Sequence, residues 1–372
     1  MDLTQTTSTL RLHHPDGVTP VLVGEDALVS AFPELEEWSR GRTVFVVTTP
    51  RVHALHGDRL GPLARVAARW VMLEVEEGEP AKTVTTAELL WNQMLGAGGK
   101  RDSRLIAFGG GSVGDLGGFA AGCFLRGIEF VQIPTTLLAQ VDASIGGKTG
   151  VDLPGGKNTV GLFHHPRWVV CDTAVLPSLP REELRSGLVE VIKMAALLDP
   201  DLFGLLEKEL EILLEGDPAA LGPVVAAAAA AKIAVVERDP TEQGERRLLN
   251  FGHTLGHAIE SACGYAGLRH GEAVGYGTLF ALRLALRRGL PPGVAERIRN
   301  LIRRLELPRL PDLDPERLVD LMARDKKARE SGLVWVLPRD LGEGWMTDGV
   351  PRDEVLEELR RFLADPLSAP GT

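Results

Sequence analysis

The chain has 372 residues, 41 basic against 51 acidic, for a formal net charge of −10. That length suits two domains with cores of their own, and the acidic balance argues against nonspecific binding to nucleic acid or an anionic membrane while leaving room for a local basic pocket. Its three cysteines, Cys123, Cys171 and Cys263, are far apart and form no CxxC, which speaks against a disulfide framework or a thiolate zinc site and suits a reducing, cytoplasmic setting.

The first half alternates two kinds of pattern. Short apolar runs at Val18–Val23, Thr43–Val47, Trp70–Val75, Leu105–Phe108, Glu129–Ile133 and Trp168–Cys171 predict strands. Helical spacing falls between some of them, at Ala54–Ala68 and Thr85–Leu95. The expectation is a mostly parallel, Rossmann-like sheet covered by helices. After the turn-like Pro177–Pro180 the character changes, and amphipathic helices are predicted at Glu182–Leu198, Asp201–Leu214, Pro223–Glu237, His253–Cys263, Gly271–Arg288 and Val294–Leu305. A small strand at Leu333–Leu337 and a last helix at Arg352–Leu363 follow. The expected division is an α/β domain over 1–180 and an all-α domain over 181–372. The N-terminus lacks the basic head and apolar run of a signal peptide, and the longest apolar stretch, VVAAAAAAKIAVV, is interrupted by Lys232 and reads as a buried helix, so no membrane partner is expected.

Three stretches carry chemistry. Gly109, Gly111 and Gly114 satisfy GxGxxG after a predicted strand and at the opening of a helix, where backbone N–H groups can approach a pyrophosphate. The acidic residue usual about twenty positions later is misplaced, since Glu129 begins the next strand rather than ending it. Tight packing through GGFAAG is the competing explanation. Asp115, just inside that helix, is a candidate partner for a ribose or amide. The second stretch, PTTLLAQVDASIGGKTGVDLPGGKNTVG, puts Lys148 and Lys157 on glycine-rich turns, where an ammonium can reach a phosphate or carboxylate. It is no P-loop, because Asp142 stands where the upstream glycine is required.

The third is NFGHTLGHAIE. His253 and His257 lie one helical turn apart, a spacing that serves either two metal ligands or one ligand beside an acid/base. Glu190 and Lys193 share a helical face and read in isolation as an ordinary ion pair. However, Glu190 sits among Leu188, Val189, Val191 and Ile192, where a carboxylate has little access to solvent. One glutamate with two imidazoles makes a catalytic zinc set with an open position. Glu190, His253 and His270 supply it, leaving His257 as a candidate acid/base.

The phrases GGGSVGDLGGFAA, PTTLLAQVDASIGGKTGV, GGKN, SGLVEVIK, LLNFGHTLGHAIE and HGEAV, in this order and spacing from about Thr43 to Lys327, resemble the 3-dehydroquinate synthase family. The resemblance implies a carbon–oxygen lyase acting on the sugar acid phosphate DAHP in the shikimate pathway. It further implies one NAD, zinc or alternatively cobalt, a cytoplasmic homodimer, and an active site in the cleft between the two domains. Carried over by motif, Glu190, His253 and His270 are the metal ligands. Glu79, Lys82, Gly110, Gly111, Ser112, Asp115, Thr135, Thr136, Lys157, Ser178, Leu179 and Glu183 would meet the cofactor. Arg126, Asp142, Lys148, Asn158, Lys193, Lys232, Arg246, Asn250, His257 and Lys326 (or its neighbour Lys327) would meet the substrate. His257, Glu242 and Lys193 would serve catalysis.

The implied reaction is transient oxidation at C5, phosphate elimination, re-reduction, and intramolecular aldol closure. Two departures stand out. Thr49 occupies a position where the family commonly has an acid or amide for the adenosine ribose, and Ser178 and Ser186 stand where threonine and asparagine occur in some relatives. Competing functions are another NAD-dependent sugar phosphate cyclase, a metal-dependent polyol or glycerol dehydrogenase, and a catalytically silent protein kept for a regulatory interaction. Lys148, Asn158, Arg246 and Asn250 favour the dehydroquinate reaction over other cyclases. The phosphate-directed lysines argue against the dehydrogenase, and the intact metal and acid/base set argues against silence.

Overall fold

Parallel strands ending on a glycine turn organise the first half of the molecule. The computed structural model describes residues 7–154, 156–264, 267–325 and 333–367. The chain divides into two compact units, Met1–Pro180 with Glu215–Pro240, and Arg181–Leu214 with Thr241–Thr372.

In the first unit β1 (Thr7–His14) and β2 (Gly17–Gly24) form a hairpin, followed by α1 (Ala27–Ser39), β3 (Thr43–Thr48), α2 (Pro50–His56), α3 (Gly61–Val66), β4 (Arg69–Glu74), α4 (Val84–Gly96), β5 (Arg104–Gly109), α5 (Gly111–Cys123) and β6 (Glu129–Pro134). A separate antiparallel hairpin, β7 (Lys148–Leu153) with β8 (Gly156–Phe163), precedes β9 (Val169–Asp172). The main sheet runs β1-β2-β9-β6-β5-β3-β4, parallel except where β1 meets β2. Its inner strands β3, β5, β6 and β9 are buried and largely apolar on both faces, as a sheet covered on both sides requires. Phe45, Val47, Leu105 and Ala107 pack with α4 and α5, while their neighbours Val44, Val46, Ile106 and Phe108 pack with α1 and α3.

The chain enters the second unit through α6 (Arg181–Leu198) and α7 (Pro200–Leu214), and returns to the first as α8 (Pro218–Arg238). It then stays in the second as α9 (His253–Ala262), α10 (His270–Leu286), α11 (Pro292–Arg304), α12 (Pro315–Asp325), the hairpin β10 (Trp335–Asp340) with β11 (Glu343–Thr347), and α13 (Arg352–Ala364).

Two expectations need correction here. A single cut at 180 assigns α8 to the wrong unit, because this helix lies against β1, β2 and the segment around Asp142. By length and composition α8 could cross a membrane, but half of its most apolar window is buried inside the protein. It also begins at Pro218 rather than Pro223, because Asp217 caps it by accepting from Ala220 N at 2.7 Å. The second correction concerns the GGK triplets. Gly146 and Gly147 do turn the chain, with φ of 105° and 70°, but Lys148 opens β7 and Lys157 lies within β8. Period-two alternation across the pair was hidden by glycines, which carry no side chain to show it. In the second unit the hairpin β10–β11 is added to the helices; only its first strand was legible.

Candidate functional site

Each unit assembles its own cluster. In the first, β5 delivers Gly109 and Gly110 to the start of α5, whose first turn contains no acidic residue. Space there is tight: a Cβ on Gly110 would press on the Thr136 side chain at 3.2 Å and one on Gly111 on that of Ala143 at 3.1 Å. A positive helix end with free backbone N–H groups and no side chain in the way fits a pyrophosphate. Around it, Ser112 Oγ donates to Glu79 Oε2 at 3.1 Å, Lys82 Nζ pairs with Asp115 at 2.7 Å, and Lys157 Nζ lies 3.5 Å from Glu79 Oε1. Lys82 also donates to Asn158 Oδ1. Burial raises the Asp115 carboxyl above its usual range, with the Lys82 ammonium pulling the other way. Glu79 is held below the usual range: Lys82, Lys157, Asp152 and Ser112 together outweigh its burial.

Thr135 N donates to Gly109 O at 2.9 Å, and Thr136 Oγ1 accepts from Ala139 N at 3.2 Å. Ser178 Oγ donates to Val175 O at 2.7 Å and lies 2.9 Å from His56 Nε2; Leu179 follows in the same unit. Glu183 belongs to α6 of the second unit and accepts from Arg269 at 2.7 Å. Thr49 is used locally, capping α2 by accepting from Val52 N at 3.3 Å.

Of the expected substrate residues, five belong to the first unit. Asp142 lies in a π-helical turn, Ala139–Ala143, a distortion frequent at functional sites. Lys232 reaches from α8 and donates to both its backbone and side-chain oxygens. Lys148 and Asn158 are exposed on the hairpin, and Asn158, at φ 52°, donates its backbone N–H to Asp152 Oδ1 at 2.7 Å. Arg126 is exposed on a run of three left-handed residues, Leu125, Arg126 and Gly127, with φ of 53°, 70° and 111°. No hydrogen bond or ion pair among the described residues joins Arg126 to the others.

In the second unit close packing of α6, α9 and α10 brings Lys193 and His257 beside the expected metal ligands. A Cβ on Gly277 of α10 would overlap Gly252 O, and one on Gly271 would overlap Ser186 O. Only bare backbone lets the helices come this near. Glu190 is completely buried, its Oε1 lies 3.8 Å from His253 Nε2 and 3.5 Å from His270 Nε2, and its Oε2 is ion-paired with buried Lys193. Oε1 accepts no hydrogen bond among the described residues. His253 Nδ1 donates to Phe251 O at 3.1 Å, which puts the ring proton on that nitrogen and a lone pair on Nε2. Burial, then Lys193 and the two other imidazoles, holds this ring well below its usual value and therefore neutral.

A buried carboxylate oxygen with no donor, faced by two imidazole nitrogens, fits a divalent metal; the three ligand atoms lie within 4.8 Å of one another. Its ring stands 5.2 Å from that of His253 and 5.9 Å from that of His270, so His257 borders this set. A second grouping, His257, Glu260 and His270, meets the same distance limit. Arg246 is buried nearby in sequence, and Asn250 Nδ2 donates to Glu242 Oε1 at 2.8 Å, Glu242 itself being left-handed at φ 59°. Lys326 and Lys327 lie outside the described residues. Sequence reasoning passed over Asp152 and Glu260. The second carried a signal, a carboxylate two turns beyond His253 on the same helical face.

The family model described as 3-dehydroquinate synthase N-terminal matches residues 72–186, and the one described as 3-dehydroquinate synthase C-terminal matches residues 187–328. A 3-dehydroquinate synthase of Geobacter metallireducens is 44% identical over 82% of this chain and 86% of its own. One from Xanthomonas campestris is 43% identical over 94% of this chain and 98% of its own. Among solved structures, 2-epi-5-epi-valiolone synthase from Streptomyces hygroscopicus, with NAD+ and Zn2+ bound, superposes with a TM-score of 0.85 at 30% identity, covering 94% of this chain and 97% of that one. A 2-deoxy-scyllo-inosose synthase complexed with carbaglucose-6-phosphate, NAD+ and Co2+ gives 0.86 at 26% identity, covering 95% and 99%. An iron-containing alcohol dehydrogenase from Thermotoga maritima, with a TM-score of 0.68 at 17% identity over 93% and 98%, shares the fold.

Proposed function

Because the chain belongs to the 3-dehydroquinate synthase family, we propose that it converts 3-deoxy-D-arabino-heptulosonate 7-phosphate (DAHP) to 3-dehydroquinate and inorganic phosphate. NAD and a divalent metal, zinc or cobalt, are its resident cofactors in this reading, supported by the bound groups of the two cyclase structures. The observation that carries it is the buried Glu190 carboxylate facing the Nε2 atoms of His253 and His270.

When bound, NAD supplies a hydride acceptor that is regenerated within each turnover, and the metal supplies Lewis acidity at the hydroxyl being oxidised. Glu190, His253 and His270 would hold the metal. The N-terminus of α5 would take the cofactor's pyrophosphate, with Glu79, Lys82, Asp115 and Lys157 arranged around it. Lys193 neutralises the charge on Glu190 and is buried with it, which fixes an ammonium where a substrate oxygen can meet it. Arg246, Lys232, Lys148 and Arg126 answer the substrate's carboxylate and phosphate, so that a cationic set operates within an acidic protein. Asp142 holds Lys232 in place, and Asn158 and Asn250 are positioned by Asp152 and Glu242 respectively. His257 borders the metal set with its ring, and it accepts and returns the proton of the hydroxyl. Holding the phosphate against the C–H beside the new ketone lets the departing phosphate accept that C–H proton as the C–O bond breaks. A cytoplasmic homodimer is the working form in this reading.

Purified protein supplied with DAHP, zinc and substoichiometric NAD tests the reading through phosphate release. Release continuing far beyond the NAD supplied is the expected result. NADH accumulating in step with a polyol substrate, or no release of phosphate, would overturn it.

A further inference from the structure

Glu260 has no part in the reading above, yet it controls how His270 presents itself. It stands on α9, is 4% exposed, and its Oε2 lies 3.2 Å from His270 Nδ1. An ionised carboxylate offers only lone pairs, so this bond places the ring proton on Nδ1. The lone pair is then on Nε2, the nitrogen 3.5 Å from Glu190 Oε1. His253 is arranged in parallel, with Nδ1 spent on a backbone carbonyl and Nε2 turned toward the same oxygen.

The backbone around His270 has its own anchors. Gly271 N donates to Ser186 Oγ at 3.0 Å, and Arg269 N to Glu272 Oε2 at 2.9 Å, with Glu272 pinned by Arg185. These bonds fix where α10 begins and act on the backbone rather than on the imidazole itself. The His270 side chain is 30% exposed against 11% for His253, so packing constrains it less.

We infer that Glu260 is a positioning residue for the metal: by holding the His270 ring it directs Nε2 at the Glu190–His253–His270 centre and raises metal affinity without itself ligating. A carboxylate behind a ligating imidazole fixes its orientation and increases its basicity, and loss of such a partner costs about 10–100-fold in metal affinity. The competing arrangement has Glu260 as a ligand with His257 and His270. It would use His270 through Nδ1 and leave Glu190 Oε1 buried with no donor, which is the costlier outcome.

The inference rests on the assignment of the metal to Glu190, His253 and His270, and the test separates the two. Metal-free full-length protein is titrated with Zn2+ against a chromophoric chelator, and with Co2+ followed by visible absorption. Wild type, His270→Ala, Glu260→Gln and Glu260→Met are compared, the last filling the volume of the glutamate without accepting a hydrogen bond. Wild type takes one metal and His270→Ala none; a wild type without metal, or His270→Ala binding like wild type, overturns the assignment itself. Given that, Glu260→Met still binds one metal, about 10–100-fold more weakly, with an altered Co2+ spectrum. Glu260→Gln, whose amide oxygen can accept the same bond, recovers most of the loss.

Glu260→Met within twofold of wild type, Glu260→Met with no metal at all, or Glu260→Gln no better than Glu260→Met each overturns the inference. A purely structural role would instead lower the Tm of the metal-free variant and leave its affinity unchanged.

Discussion

His253 and His257 lie one turn apart on α9, and their rings meet edge to face with centroids 5.2 Å apart, yet the structure gives them different surroundings. His253 is buried, neutral and tied through Nδ1 to Phe251 O, whereas His257 is partly exposed. His253→Ala is therefore expected to lose metal and activity together. His257→Ala should keep the metal and lose about 10²–10⁴ in kcat, the usual contribution of a positioned acid/base. Metal content by elemental analysis, measured beside kcat, checks the contrast; equal metal loss in both variants would contradict it. Residue types and spacing were enough to nominate Glu190, His253 and His270. They could not show which imidazole nitrogen is free, because that depends on Phe251 O and on Glu260, whose contacts exist only once the helices are packed.

At the level of elements, the second unit depends on how near α10 comes to α6 and α9. Gly271 and Gly277 permit that approach, since a Cβ at either would overlap a backbone carbonyl that has no rotamer to yield. Gly277→Ala is expected to cost about 1–3 kcal/mol or more by overpacking, and to weaken metal binding because α10 carries His270. Denaturant midpoints and metal titration measure the two effects, and an unchanged midpoint would show that the helices separate at little cost. Apart from α12, which the sequence reading did not anticipate, the helices themselves were legible from 3.6-residue periodicity, and most of their ends moved by only a residue or two. Glycines on α10 that exist for close approach looked no different from any other glycine in HGEAVGYGTL. The β7–β8 hairpin was missed for a related reason, its alternation being interrupted by Gly150, Gly156 and Gly161.

For the whole molecule the decisive feature is the return of α8 to the first unit. It lies against β1 and β2 and brings Lys232 to Asp142, so a fragment of residues 1–180 would leave an apolar face exposed and an aspartate without its ammonium partner. Such a fragment is expected to aggregate or to lack a cooperative unfolding transition, and linking residues 215–240 to it should restore one; calorimetry of the two checks this. Cooperative unfolding of 1–180 alone would show that α8 is dispensable. The alternation of strand and helix, the glycine turn, the lysine-rich stretch and the histidine pair are properties of short windows, and the sequence by itself determined them, along with the family to which they belong. The unit that claims α8, the oxygen Lys232 seeks, the proton's place on each imidazole and the use of Thr49 as a helix cap were decided only by the tertiary structure. Each depends on groups distant in sequence, or on a local geometry that the packed chain selects from several of similar energy.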